Sequence, residues 1–326
     1  MNSASASGAR LASPAGVLTA LVILLILICG LFMTVGVRGN WSFVLSLRGA
    51  RLLQMLLVAY AVAVSTVLFQ TVTNNRILTP SIMGFDAAYV LIQTSLVFAL
   101  GSLAVDSFDP RLLFGFEVVV MTGFALLLFR WLFGGGIAGL HLMLLVGIVF
   151  GTFFRSLSGF MQRLIDPNEF VVLQDRFFAN FGTVNTPLLT ISAVFILAAS
   201  LAGWRIRHAF DVLALGRETA INLGVPYRRM VTGALVIIAV LVSVSTALVG
   251  PITFFGLLVA NLAYRIVPSH RHAAVLPGAA LVAGIALVGG QLILERVFAF
   301  DTALAVIIEF LGGILFITLL LKGRLR

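Results

Sequence analysis

The stretch DVLALGRETAINLGVPYRRMVTGALVIIAVLVSVSTALVG, residues 211–250, contains two kinds of sequence side by side. Its second part, from residue 230 onward, runs for about 20 residues without a charged side chain, the length of a helix that crosses a lipid bilayer. Its first part is polar, contains two glycines and a proline, and follows another apolar run at residues 186–203. The stretch therefore predicts a short segment outside the lipid that connects two membrane spans.

The composition of the whole chain agrees with a membrane protein. Of the 326 residues, 61% are hydrophobic and only 10% are charged, whereas a soluble domain carries about 25% charged residues. The 21 Lys and Arg exceed the 12 Asp and Glu, but they are scattered between apolar runs and form no basic face. A nucleic-acid partner is therefore not expected, and the basic residues are better interpreted as indicators of membrane orientation.

Apolar windows of about 20 residues predict an all-α fold with ten spans. We expect one transmembrane domain over residues 1–326, with a flexible cytoplasmic N-terminus at residues 1–15. The polar run QRLIDPNEFVVLQDRFFANFGTVNTP between the fifth and sixth spans predicts interfacial helices or a partly re-entrant segment. The predicted spans lie near residues 16–37, 51–72, 82–104, 112–133, 140–160, 186–203, 229–250, 252–267, 274–294 and 303–321.

Orientation follows from the distribution of Lys and Arg. With the N-terminus inside, the inner loops and the termini carry 13 of the 21 basic residues, and inner loops are the ones that retain positive charge. An even number of spans then places both termini in the cytoplasm. The segment at 211–224 is also cytoplasmic in this arrangement.

The cytoplasmic segment has the pattern of an amphipathic helix. Val212, Leu215, Ile221 and Leu223 share part of one face, and Gly224 is suited to end the helix. Such a helix either lies at the lipid interface or docks into a partner. The pattern alone leaves both possibilities open.

Longer stretches favour the second possibility. ALGRETAINLG, residues 214–224, resembles the coupling helix "LGE-x-x-A-x-x-LG" of the iron-siderophore and cobalamin permease family of ABC importers. Residues 47–89, 250–284 and 311–324 resemble three further blocks of that family, in the same order and at the expected spacing. The resemblance covers residues 40–326.

The resemblance implies a type II ABC importer permease, which is a transport subunit rather than an enzyme. It implies a second permease subunit, two cytoplasmic ATPases that use ATP-Mg, and a periplasmic or lipid-anchored substrate-binding protein, in a bacterial inner membrane. No G-x-x-x-x-G-K-[ST] loop occurs in the sequence, so we expect no ATP hydrolysis by this chain itself. No Cys or carboxylate stands at metal-ligand spacing with His270 and His272, and we expect neither a metal nor another bound cofactor. Residues 74–94 resemble the subgroup that imports ferric catecholate or related siderophores, usually with two non-identical permease subunits.

The family pattern also assigns candidate sites. It implies ATPase coupling through Leu215, Gly216, Glu218, Ala220, Leu223 and Gly224. It places a cytoplasmic gate at Asn75 and Ile77, where the alternative is a simple capped turn. It places pockets for glutamates of the binding protein at Arg48, Arg51 and Arg296, where the alternative is arginines that reach lipid phosphates.

This sequence departs from the family pattern at two relevant positions. Arg76 replaces a proline in the gate loop, and Ala260-Asn261 replaces a Pro-His pair in the eighth span.

Acidic residues within spans suggest a different class of function. Asp86, Glu117 and Glu309 lie in the third, fourth and tenth predicted spans without basic partners in the sequence pattern, and an intramembrane carboxylate is a candidate for proton coupling. The alternatives are therefore a proton-coupled secondary transporter and polar contacts between helices, of which we favour the second. Four histidines near the cytoplasmic ends are expected to be interfacial rather than zinc ligands; they are His141, His208, His270 and His272.

Overall fold

The computed structural model describes residues 13–37, 41–134, 140–297 and 304–321, and these ranges contain helices and no strand. A single 3₁₀ turn lies at Pro80–Met83. The α-helices of these ranges are α1 (Pro14–Thr34), α2 (Trp41–Thr73), α3 (Phe85–Leu100), α4 (Ser102–Ser107), α5 (Pro110–Gly134), α6 (Leu140–Gln162), α7 (Pro167–Asp175), α8 (Thr186–Arg205), α9 (Arg207–Leu213), α10 (Arg217–Asn222), α11 (Tyr227–Val249), α12 (Phe255–Ile266), α13 (His272–Val297) and α14 (Leu304–Leu321).

Ten of these helices correspond to the ten predicted spans. Within the described ranges, α1, α2, α5, α6, α8, α11 and α13 are long and apolar enough to cross a bilayer, and α3, α12 and α14 are shorter apolar helices. The all-helical, multi-pass expectation is confirmed. The largest difference is at α2, which begins at Trp41 rather than near residue 51, because the added residues contain no proline that would end a helix.

The bundle is centred on α2 and α11. In the most apolar stretch of each of these helices 67% of the residues are buried, against 11% in α1. Helix α2 packs against both α11 and α13, whereas α1 packs mainly on α13, and α8 packs on α11. Polar side chains on the central helices, such as Gln70 and Ser243, are therefore removed from lipid.

The predicted interfacial segment contains the short helix α7. The side chain of Asp166 caps its start by accepting a hydrogen bond from the backbone N–H of Asn168 at 2.8 Å. The following chain returns to the bundle, where the backbone N–H of Asn180 donates to the carbonyl of Val249 at 2.8 Å.

The first helix begins within the segment expected to be flexible. Residues 1–12 lie outside the described residues. Helix α1 starts at Pro14, and the side chain of Ser13 accepts from the N–H of Gly16 at 3.1 Å. Residues 14 and 15 are therefore helical, because a serine cap followed by proline is a favourable helix start.

A close backbone approach joins α6 to the turn before α3. A Cβ added at Gly151 would lie 3.1 Å from the Cα of Gly84, and one added at Gly147 would lie 3.2 Å from the Cα of Met83. Small residues allow membrane helices to approach in this way, and van der Waals packing is the main attraction between them in lipid.

We predict that Gly151→Val destabilises the subunit by about 1–3 kcal/mol, because the added side chain meets backbone rather than a side chain that could move away. The matched control is Gly159→Val on the same helix, where an added Cβ meets nothing within 4 Å. Thermal unfolding in detergent compares the two variants. Equal melting of Gly151→Val and Gly159→Val would contradict the packing described here.

Candidate functional site: the cytoplasmic end of the bundle

The predicted coupling segment consists of two short helices, not the single helix expected over residues 211–224. Helix α9 ends at Leu213 and α10 begins at Arg217, and Gly216 between them has φ = +95°. This backbone conformation is open to glycine and strained for other residues, so the glycine interrupts the helix. Gly224, after the end of α10, also has a positive φ of +81°.

The two short helices have one buried and one exposed set of apolar side chains. Phe210, Leu213 and Ala220 are buried in the core of the bundle. By contrast, Leu215 is 59% and Leu223 61% exposed, and Ile221 between them is also exposed. Among the predicted coupling residues, Ala220 therefore anchors the segment to the bundle, while Leu215, Glu218 and Leu223 face outward.

The loop after α2 forms a compact turn at the same end of the bundle. The Asn75 side chain accepts from the backbone N–H of Ile77 at 2.9 Å, and the Asn75 N–H donates to the carbonyl of Gln70 at 3.1 Å. Asn75 thus organises its own loop, as asparagines in turns commonly do. Ile77 is half-buried.

Side chains from α2 and α12 donate hydrogen bonds to the same backbone carbonyl of this loop. The carbonyl of Arg76 accepts from the Gln70 amide at 2.7 Å and from the Asn261 amide at 3.2 Å. The Arg76 guanidinium lies 4.7 Å from the ring centre of Tyr264, one turn of α12 beyond Asn261, a geometry that favours cation–π attraction. Arg76 and Asn261, two positions at which this sequence departs from the family pattern, are therefore in direct contact.

The loop after α2 and the predicted coupling segment are neighbours. A Cβ added at Gly216 would lie 4.0 Å from the side-chain nitrogen Nδ2 of Asn74. The imidazole of His272, at the start of α13, also lies within hydrogen-bond distance of two side chains, Asp211 on α9 and Thr71 on α2.

The expectation that His272 is interfacial is wrong, because its ring is enclosed between α2, α9 and α13. The sequence shows only a histidine near a span end, and nothing in its spacing indicates the carboxylate more than 60 positions away.

Two of the arginines predicted for the outer face, Arg48 and Arg296, meet at the C-terminal end of α1. Arg48 donates through Nη1 to the carbonyls of Phe32 at 2.9 Å and Val35 at 2.8 Å. Arg296 also donates to the Val35 carbonyl. Together they satisfy carbonyls that an α-helix leaves unpaired at its C-terminus, and the Arg51 Nε is buried without a hydrogen-bond partner among the described residues.

Comparison with known proteins identifies the chain. Residues 18–322 match the model of the FecCD transport family. The chain belongs to the FecCD transport family.

Similar FecCD relatives include permeases of petrobactin import systems. The chain is 48% identical to the petrobactin import system permease protein YclO of Bacillus subtilis over 304 residues, which cover 93% of this chain and 96% of YclO. It is 40% identical to FatC of Bacillus anthracis, also a petrobactin import system permease, over 83% of this chain and 76% of FatC.

A solved structure supports the same fold. It is described as a metal-chelate type ABC transporter in an inward-facing conformation, and it matches with a TM-score of 0.83 at 21% identity, covering 95% of this chain and 100% of that one.

The FecCD assignment leaves the intramembrane acids as polar contacts, and the secondary-transporter alternative is not supported. Glu117 accepts from the Gln93 amide at 2.7 Å, and the Gln93 carbonyl oxygen accepts from Arg176 at 3.0 Å. The carboxyl groups of Asp86 and Glu309 both lie beside the Thr253 side chain, and the positive charge of Arg155 acts electrostatically on Asp86. Arg176 and Arg155, from elements that are distant in sequence, act electrostatically on Glu117 and Asp86, which the sequence pattern did not indicate.

We predict that Asn261→Leu loosens the loop after α2 in this FecCD protein. One net hydrogen bond is worth about 1 kcal/mol, so the open form of the loop should become about fivefold more populated. The measurement is the rate at which a maleimide labels Thr79→Cys, a buried position of the same loop, in a Cys29→Ser background, where the native thiol is absent. Asn222→Leu, at an exposed asparagine, is the matched control; unchanged labelling in Asn261→Leu would refute the role of this bond.

Proposed function

We propose that this chain is the membrane-spanning subunit of an ATP-driven importer that carries an iron(III)-siderophore into the cytoplasm. The petrobactin import permeases that resemble it over nearly its whole length make ferric petrobactin the first candidate substrate. The pattern at residues 74–94 points to the catecholate class in general. The chain is a transport subunit and not an enzyme.

The observation that carries this proposal is the exposed apolar surface of the coupling segment. Leu215, Ile221 and Leu223 are exposed on two short helices whose other apolar residues are fixed in the core. Helix-in-groove recognition requires this arrangement of apolar side chains on a firmly attached segment. We assign the surface to an ATPase, with Glu218, Gly216 and Gly224 shaping the segment.

The remaining partners follow from the importer assignment. Two permease subunits, non-identical in our proposal, enclose the path, and two ATPases bind the cytoplasmic side and use Mg-ATP. A periplasmic or lipid-anchored binding protein delivers the chelate on the outer side. We propose that the chain lies in a bacterial plasma membrane with both termini in the cytoplasm. We propose Asn75 and Ile77 as the cytoplasmic gate.

The test of the proposal is capture of the ATPase and uptake of iron-loaded petrobactin into proteoliposomes. We predict that Leu223→Asp weakens ATPase binding about tenfold or more, because a buried interface anchor is replaced by a charge. The matched control is Leu164→Asp, at a leucine that is 59% exposed in the loop after α6. Wild-type protein that retains no ATPase would refute the proposal, and normal binding by Leu223→Asp would refute the docking surface.

The outer arginines are proposed to receive carboxylates of the binding protein while also holding the end of α1. A guanidinium with one nitrogen engaged with carbonyls retains further donors for a carboxylate. Arg51 and Arg296 lie beside Arg48 in this arrangement, so the three would present positive charge at one rim. Such rim pairs act mainly on association rate and orientation.

We predict that Arg48→Gln slows association of the binding protein several-fold at low salt, whereas Arg48→Lys retains most of the wild-type rate because it keeps the charge. The difference should disappear at high salt, where exposed charges are screened. Arg111→Gln, at an exposed arginine, is the control, and thermal unfolding reports the loss of the α1 contact separately. Equal rates for Arg48→Gln and Arg48→Lys at low salt would show that Arg48 is only structural.

A further inference from the structure

His272 is a buried polar residue that the transport assignment does not use. The residue is 4% exposed. Nδ1 lies 2.7 Å from Oδ1 of Asp211, and Nε2 lies 2.7 Å from Oγ1 of Thr71. Both ring nitrogens are therefore engaged, each with a side chain from a different helix.

Asp211 makes two contacts with His272. Its Oδ1 also accepts from the backbone N–H of His272 at 2.7 Å. A carboxylate at a helix start satisfies an unpaired N–H and interacts favourably with the helix dipole. Here the carboxylate comes from α9, so one residue of the coupling segment caps the spanning helix α13.

The contact with Thr71 leads to the gate loop. Thr71 lies in the last turn of α2, three positions before Asn74, which is at the beginning of the loop. Phe210, next to Asp211 on α9, is fully buried and packs near the imidazole with ring centres 5.9 Å apart. The histidine is thus held from both sides, with little room to move independently of either partner.

We infer that Asp211, His272 and Thr71 form a positioning link that transmits movement of the coupling segment to the gate loop, an inference that rests on the proposed ATPase docking. A force on α9 is transmitted to α13 through the two hydrogen bonds between Asp211 and His272. It is transmitted to α2 through the hydrogen bond between His272 and Thr71. Hydrogen bonds of fixed geometry in a buried site resist sliding better than apolar contacts, because their energy falls steeply with angle and distance. The apolar contacts around them hold the helices together but do not fix their register.

The experiment measures gate movement directly, so that substrate identity does not enter. The complete complex with its ATPases is placed in lipid nanodiscs, and hydrogen–deuterium exchange of residues 74–79 and 211–224 is compared with and without Mg-ATP. The test variant is Thr71→Val, which removes the hydroxyl that meets His272. The matched control is Thr73→Val: this threonine is equally buried on the same helix, and its hydroxyl bonds only within α2, to the carbonyls of Phe69 and Gln70.

We expect the wild type and Thr73→Val to show an ATP-dependent change in both segments. In Thr71→Val the change at residues 211–224 should remain, while the change at residues 74–79 should fall at least about fivefold, which is a typical coupling between two sites. Thr71→Ser, which restores a hydroxyl, should recover the response. Asp211→Asn should behave like Thr71→Val, because it weakens the charge-assisted bond at the other side of the imidazole.

Two results would overturn the link. The first is an ATP-dependent change at residues 74–79 in Thr71→Val equal to that in Thr73→Val. The second is a wild-type complex that retains its ATPases but shows no response of this loop. Failure of the wild type to retain any ATPase would instead refute the proposed function on which the link rests. A purely structural role corresponds to the first result: it would lower thermal stability in Thr71→Val but leave the response of the loop unchanged.

Discussion

A backbone N–H or C=O that lies inside a membrane protein must find its partner within the protein, because lipid supplies none. Regular helices satisfy this requirement along their length but not at their ends. In this FecCD protein several ends are satisfied by side chains from other helices. Arg48 and Arg296 serve the end of α1, Asn261 serves the loop after α2, and Asp211 serves the start of α13. Each such bond also fixes the position of one helix relative to another.

The spans could be predicted from sequence because their signal is local. A run of about 20 apolar residues indicates a helix wherever its neighbours lie, and all ten spans have a counterpart in the structure. The beginning of α2 was predicted ten residues late because Arg48 and Arg51 indicate an interface, whereas the structure directs Arg48 sideways to the end of α1.

The site was harder to predict because its contacts join residues far apart in sequence. The exposed leucines of the coupling segment follow from a local amphipathic pattern. The break at Gly216 does not, since ALGRETAINLG also fits one continuous helix and the choice is made by burial of Phe210 and Ala220 on the bundle. Asp211 and His272 are 61 positions apart and Thr71 and His272 are 201 apart. A single sequence contains no periodicity that would pair them.

The departures at Arg76 and Asn261 show how one local change can depend on another. Arginine lacks the ring that fixes φ in proline, so a loop with Arg76 has more backbone freedom to lose on folding. The amides of Asn261 and Gln70 restrict this freedom by holding the Arg76 carbonyl, and Tyr264 holds its guanidinium. The loop is therefore ordered by contacts with α2 and α12 rather than by its own covalent structure. An ordering of this kind depends on the positions of the two helices, and it changes when they move. A loop held in this way is suited to respond to helix movement, which a proline-stiffened turn would resist.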